Sequence, residues 1–187
     1  MSLGAAHGVD PIEHLEQAFV RRGGLAYGEA VTQLEHALQC ATAAERAGAS
    51  SASITAALLH DFGHLLHPDA GGALADGVDD RHEWIGANHL AQWFGEAVTQ
   101  PIALHVEAKR YLCLAEPRYH ASLSPVSLTT LRLQGGVMTP AEATAFLSRP
   151  HAATAVQVRR WDEAAKITGM VTAPLAHFLQ VARLCRR

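Results

Sequence analysis

Apolar side chains recur along this chain at the three- and four-residue spacing of a helix, not at the alternation of a strand. Leu34, Ala37, Leu38 and Ala41 make one such stripe, and Ala155, Val158, Asp162 and Ala165 share another face. Punctuation marks where the helices begin. Asp10-Pro11-Ile12-Glu13 and Thr139-Pro140-Ala141-Glu142 each combine a capping side chain, a proline in the first turn and an acid three residues on. Asp80-Arg81-His82-Glu83 has the look of a capping box, Ser124-Pro125 opens another helix, and Pro101 and Pro174 fit first helical positions. Gly23, Gly48, Gly95 and Gly135 stand as stops. The pattern predicts helices over 10–22, 31–47, 51–61, 81–94, 101–115, 125–134, 140–148, 150–167 and 174–185, joined in an all-α bundle. The longest predicted loop, Gly63 to Asp80, lies between two helices that carry candidate ligands.

Composition narrows the class. A chain of 187 residues, 49% hydrophobic and 18% charged, suits a single folded domain spanning 1–187. A net charge of −3 offers no footprint for nucleic acid, and no apolar run reaches membrane-spanning length. Met1 to Asp10 lacks the pattern of a secretory leader, and Cys40, Cys113 and Cys185 are scattered without metal-knuckle spacing. Buried thiols in a cytoplasmic protein are the expectation.

One count changes the picture: 12 histidines, in a chain where each could be a metal ligand. Leu58-Leu59-His60-Asp61-Phe62-Gly63-His64 ends an apolar helix with an adjacent imidazole and carboxylate. A carboxylate in such a place needs a partner or a metal, and its two oxygens can serve two cations. His36 sits beside the apolar stripe of its helix, His82 begins a helix, His105 lies in the apolar run Ile102-Ala103-Leu104-His105-Val106, and Asp162 shares the Ala155–Ala165 face. A lone core histidine is usually satisfied by one backbone carbonyl, but six such residues on five helices point to a site. Nitrogen and carboxylate donors without thiolate suit iron, manganese or zinc.

The order His36, His60-Asp61, His82, His105, Asp162 resembles the HD-domain superfamily, with the six-ligand set of its dinuclear members, over roughly residues 27–166. The resemblance implies that Asp61 bridges two metals about 3.5–4 Å apart. It implies His36, His60 and Asp162 on one metal, and His82 and His105 on the other. Most of the superfamily are phosphohydrolases. Similar sets occur in mixed-valent diiron oxygenases, including myo-inositol oxygenase and the enzymes that cleave the carbon–phosphorus bond of 1-hydroxy-2-aminoethylphosphonates.

Further residues resemble the phosphonate branch. Tyr27 and Glu29 precede His36 as do that branch's tyrosine, which guards the substrate-binding iron, and its glutamate, which pairs with the substrate's cationic nitrogen, although there the two stand one residue further apart. His64, Lys109, Ser127 and Arg159 resemble its phosphonate-binding positions. The resemblance then implies two iron ions, Fe(II) and Fe(III), dioxygen as co-substrate, and a small organophosphonate. That substrate would be a 1-hydroxy-2-amino- or 2-trimethylammonio-ethylphosphonate, cleaved to glycine or glycine betaine and phosphate. Each residue has a plainer role: Glu29 as a first-turn acid, Lys109 as a surface lysine, Ser127 as an N3 residue. Trp84, Trp161 and Tyr111 could cage a quaternary ammonium, with core packing the simpler expectation. His7, His14, His67, His89, His120, His151 and His177 find no place in the pattern. The ligand set alone also fits a metal-dependent phosphohydrolase or a non-catalytic sensor of a phosphorylated ligand.

Overall fold

The computed structural model describes residues 10–27, 30–66 and 79–187. Among them are eleven helices: α1 (Pro11–Arg22), α2 (Gln33–Arg46), α3 (Ser51–Leu59), α4 (Phe62–Leu66), α5 (His82–Leu90), α6 (Glu96–Ala115), α7 (Pro117–Ser122), α8 (Pro125–Leu133), α9 (Pro140–Leu147), α10 (Ala152–Ala164) and α11 (Leu175–Arg183). No strand forms among the described residues; Ala26 with Thr32 and Phe94 with Arg186 make isolated bridges. The fold is all-α, as the apolar spacing requires.

Local chemistry sets the helix starts. Asp10 Oδ1 accepts the Ile12 amide at 3.0 Å ahead of Pro11. Thr139 and Glu142 close a reciprocal box around the start of α9, and Ser124 Oγ accepts the Ser127 amide at 3.1 Å at α8. Gly48, at φ +69°, ends α2 in the left-handed region that glycine adopts without strain.

Tertiary packing overrides four local expectations. The helix expected over 51–61 stops at Leu59; His60 and Asp61 form a turn, and α4 begins at Phe62 and runs into the stretch read as loop. The helix expected from Pro101 begins at Glu96, so Pro101 lies within α6. Burying Val98 together with Ile102 favours that longer helix over the amide bond Pro101 cannot make. α5 ends at Leu90, short of Gly95, which instead stands before α6. Asp80 and Glu83 form no capping box: Arg81 caps α5 at φ 50° without a side-chain bond, Asp80 is held by two imidazoles, and Glu83 is buried.

α6 is the central helix. It packs against α3, α5 and α10, and α2 lies across α3 and α10. The main apolar core joins α1–α6 and α11 through Leu15, Leu58, Leu59, Phe62, Leu90 and Phe178; a second cluster around Leu104, Leu112 and Phe146 joins α6, α9 and α10. Buried polar side chains collect where α2, α3, α5, α6 and α10 meet, and His36, His60, Asp61, His105 and Asp162 are all at most 9% exposed.

Candidate metal centre and anion pocket

Five segments supply that buried polar centre. His36 comes from α2, His60 and Asp61 from the turn after α3, His82 from the first residue of α5, His105 from mid-α6 and Asp162 from the last turns of α10. Gly63 lets the turn approach α5. A Cβ there would lie 2.0 Å from the His82 carbonyl oxygen, and one at Gly86 would lie 2.9 Å from the Gly63 nitrogen. The two glycines allow backbone to meet backbone, which puts His82 beside Asp61.

The six residues predicted from sequence come together in two groups that share Asp61. Its Oδ2 lies 3.3 Å from His60 Nε2 and 3.7 Å from His36 Nε2. Its Oδ1 lies 3.3 Å from His82 Nε2 and 3.5 Å from His105 Nε2. Asp162 joins the first group, with Oδ1 3.3 Å from His36 Nε2 and Oδ2 3.8 Å from His60 Nε2. One carboxylate therefore presents a different oxygen to each imidazole pair.

The proton positions test whether cations fit. Every one of the four rings turns Nδ1 toward an acceptor: Ala165 O at 2.8 Å for His36, Ala57 O at 2.9 Å for His60, Ile102 O at 2.7 Å for His105 and Asp80 Oδ1 at 2.8 Å for His82. Each Nδ1 then donates, and in a neutral ring Nε2 keeps a lone pair. Yet His36 Nε2 stands 3.2 Å from His60 Nε2, and His82 Nε2 stands 3.3 Å from His105 Nε2. Two lone pairs at that separation repel unless a proton or a metal cation lies between them. The donor set fits two metal ions on this ground.

The electrostatics agree. Burial disfavours the charged form of His82, but hydrogen bonds to Asp61 and Asp80 outweigh it and raise the ring to about 10. Burial likewise opposes ionisation of Asp61, and His60, His105 and His82 overcome it, holding the carboxyl well below the usual range. Burial also opposes the charge on His60, and Asp61, then Asp162, raises it all the same; a field that draws protons onto these rings favours a metal cation. Burial lowers His105 to about 4, so its ring stays neutral and able to donate a lone pair.

A buried cationic cluster adjoins the centre on the side of α6, α8 and α10. Lys109 is 3% exposed and donates to Thr130 Oγ1 at 2.9 Å. Burial, then the neighbouring Arg159 charge, lowers it to about 7. Arg159 is buried and pairs with Asp162 and Glu163 while its Nε donates to the Tyr119 hydroxyl at 2.7 Å. Ser127 Oγ accepts from Lys166 Nζ at 3.0 Å. On the other flank, the Tyr27 ring stacks on His36 with centroids 3.8 Å apart, and its hydroxyl donates to Asp162 Oδ1 at 3.4 Å. His64 stacks on His82 at 4.0 Å and its Nδ1 lies 3.1 Å from Asp80 Oδ2. Glu29 lies outside the described residues.

The HD domain profile matches residues 34–134. The chain belongs to the HD-domain family. It is 48% identical over 162 residues to hydroxymethylphosphonate dioxygenase of Gimesia maris, covering 85% of this chain and 80% of the relative. It is also 41% identical over 168 residues to the glycine-betaine-forming [1-hydroxy-2-(trimethylamino)ethyl]phosphonate dioxygenase of Leisingera caerulea, covering 89% and 86%. Asp162 lies beyond the matched HD segment, yet α10 carries it into the same centre.

In this HD-domain oxygenase several contacts were not anticipated. Cys40 Sγ lies 3.6 Å from His36 Nε2, a neighbour that the four-residue spacing on α2 could have shown. Burial, then Asp162 and Asp61, pushes its thiol well up in the metal-free centre, and its sulfur lies close enough to His36 and His60 to share a cation with them. Thr130, Tyr119, Glu163 and Lys166 hold residues of the cationic cluster but carry no motif, and Asp80, read as a cap, holds His82 and His64. The aromatic cage does not assemble. Trp84 is 42% exposed, Tyr111 packs on Phe146 in the second cluster, and Trp161 packs against the main core. Core packing is the role of the latter two. His14 and His89 pair at 3.0 Å between α1 and α5, and His177 meets Glu45 at 2.7 Å, all outside the centre. His7 and His67 lie outside the described residues.

Proposed function

We propose that this HD-domain oxygenase binds an Fe(II)/Fe(III) pair through His36, His60, Asp61, His82, His105 and Asp162, and cleaves the carbon–phosphorus bond of a 1-hydroxyphosphonate with dioxygen. The observation that carries the reading is the pairing of opposed Nε2 lone pairs across the two oxygens of Asp61. The iron pair would supply dioxygen activation and a chelation point for the substrate's hydroxyl and phosphonate oxygens. The chain's own groups do the rest. Lys109, Ser127, Arg159 and His64 neutralise and orient the phosphonate, holding C1 in a fixed place. Tyr27 covers the His36 side of the centre and excludes water from it. For a 2-amino or 2-trimethylammonio substrate, Glu29 is the residue we assign to pair with the cationic end, on the family resemblance alone.

The reaction balances without an external reductant. The C1–H and C1–P bonds supply the four electrons that dioxygen takes; one oxygen enters the carboxylate and the other the phosphate. The products are then glycine or glycine betaine, with phosphate. Hydroxymethylphosphonate is the second reading, favoured by the 48% identity to the Gimesia maris enzyme. It has no cation for Glu29 to meet. The helices on either side of residues 34–134 pack into the same core and carry a ligand, which supports one domain over 1–187. Three unpaired cysteines accord with a cytoplasmic setting, and no helix among the described residues is long and apolar enough to cross a membrane.

The test is phosphate release by the iron-loaded protein from each of the three phosphonates, with and without oxygen. Oxygen-dependent release is expected, with Glu29→Ala weakening selection of the cationic substrates and leaving metal content intact. Equal release under nitrogen, or no release beside rapid cleavage of a phosphate ester, would move the chain to the hydrolase reading.

A further inference from the structure

Three of the four histidines at the centre orient Nδ1 with a main-chain carbonyl; His82 alone uses a side chain. That side chain, Asp80, has two oxygens in two uses. Oδ1 accepts from His82 Nδ1 at 2.8 Å and lies 3.3 Å from the His82 amide nitrogen, while Oδ2 meets His64 Nδ1 at 3.1 Å. The two rings it holds are stacked, with centroids 4.0 Å apart and planes 20° apart. A carbonyl in a helix cannot move without moving the helix. A carboxylate before the first turn of α5 can turn, and it is 25% exposed.

We propose that Asp80 is a positioning residue that fixes His82 toward its metal and His64 toward the phosphonate at once, so that metal retention and phosphonate binding are coupled through one carboxylate. The phosphonate half rests on the function proposed above; the metal half does not. Asp80 bonded to both rings holds each with its Nδ1–H satisfied and its Nε2 turned away, His82 Nε2 toward Asp61. An anion drawing His64 into place draws on the same carboxylate that orients His82. Loss of the carboxylate frees both rings together. Outer partners of metal-bound histidines commonly change metal affinity by about 10–100-fold.

The experiment compares wild type, Asp80→Asn, Asp80→Ser, His64→Ala and the Asp80→Asn/His64→Ala double variant, each loaded anaerobically with iron. Two readings are taken: iron per chain against rising chelator, and affinity for hydroxymethylphosphonate and inorganic phosphate. Asp80→Asn is expected to release one of its two irons at about 10–100-fold less chelator than wild type. Asp80→Ser, which keeps an acceptor for the His82 amide, should release it as readily, and His64→Ala should retain both. Anion affinity should fall in Asp80→Asn and in His64→Ala, with the double variant no weaker than the weaker single. Wild-type iron retention in Asp80→Asn, or in Asp80→Ser, overturns the proposal and leaves Asp80 only an acceptor for the His82 amide. Additive losses of anion affinity overturn the coupling. A wild-type chain that holds two irons but binds neither anion refutes the proposed function, while the metal half is still decided by the chelator curves.

Discussion

Replacing Lys109 with methionine should stabilise the metal-free protein and weaken the phosphonate binding proposed for it. The ammonium is 3% exposed, and its hydrogen bond to Thr130 Oγ1 does not replace lost hydration. Burial, followed by the Arg159 charge, lowers Lys109 from 10.5 to about 7. A lysine whose folded value is depressed costs stability, because the unfolded chain binds the proton more tightly. That cost is fully present below about 7 and fades as pH rises through 10.5. At about 1.4 kcal/mol for each pH unit, the interval corresponds to about 5 kcal/mol. The bond to Thr130 returns about 1 kcal/mol. Methionine fills a similar volume without charge, so the variant should gain about 2–4 kcal/mol at neutral pH.

The assay is chemical unfolding of both proteins in chelator, from pH 6 to 10.5. The variant's advantage should be largest at the acid end and shrink to near zero at the alkaline end. Taking the difference between the two proteins cancels the titration of every other group. Phosphate or phosphonate binding by the metal-loaded variant should weaken by about 10–100-fold, since each lost charged hydrogen bond costs about 1.5–3 kcal/mol. In the wild type, binding above pH 7 should draw a proton onto Lys109, seen as a heat that varies with the ionisation enthalpy of the buffer. A variant no more stable than wild type at pH 7, or an advantage that does not change with pH, would refute the reasoning. Either result would mean that the amine is hydrated and the pocket open.

Two further outcomes follow from the geometry of the centre. Asp61→Asn should lose both metals together, because each imidazole pair faces a different oxygen of that carboxylate, whereas His105→Ala should lose mainly one; equal loss by metal analysis would contradict the shared role. Gly63→Ala places a Cβ 2.0 Å from the His82 carbonyl oxygen, so α5 must shift; it should cost at least about 1–3 kcal/mol in urea unfolding and release the metal on the His82 side first.

Local chemistry was legible in the sequence, and shared chemistry was not. The caps at Asp10 and Thr139 could be read because donor and acceptor lie within three residues of each other. The His60-Asp61 pair stood out because an apolar helix cannot end in a buried carboxylate without a reason. Pro101 and Asp80 show where such reading fails. Pro101 looked like a helix start, but burial of Val98 and Ile102 on either side outweighs one missing amide bond. Asp80 and Glu83 had capping-box spacing, yet Asp80 is drawn to His82 and His64 and Glu83 goes inside. The same limit hid the support of Arg159. Its spacing to Asp162 was visible on one helix, whereas the Tyr119 hydroxyl that accepts from its Nε comes from 40 residues earlier. Candidate ligands stand out because a metal demands residue types that are costly to bury. Their supports can be any acceptor that the fold brings within reach, so a sequence can single out six residues that the fold gathers and still be silent on the carboxylate that His82 and His64 share.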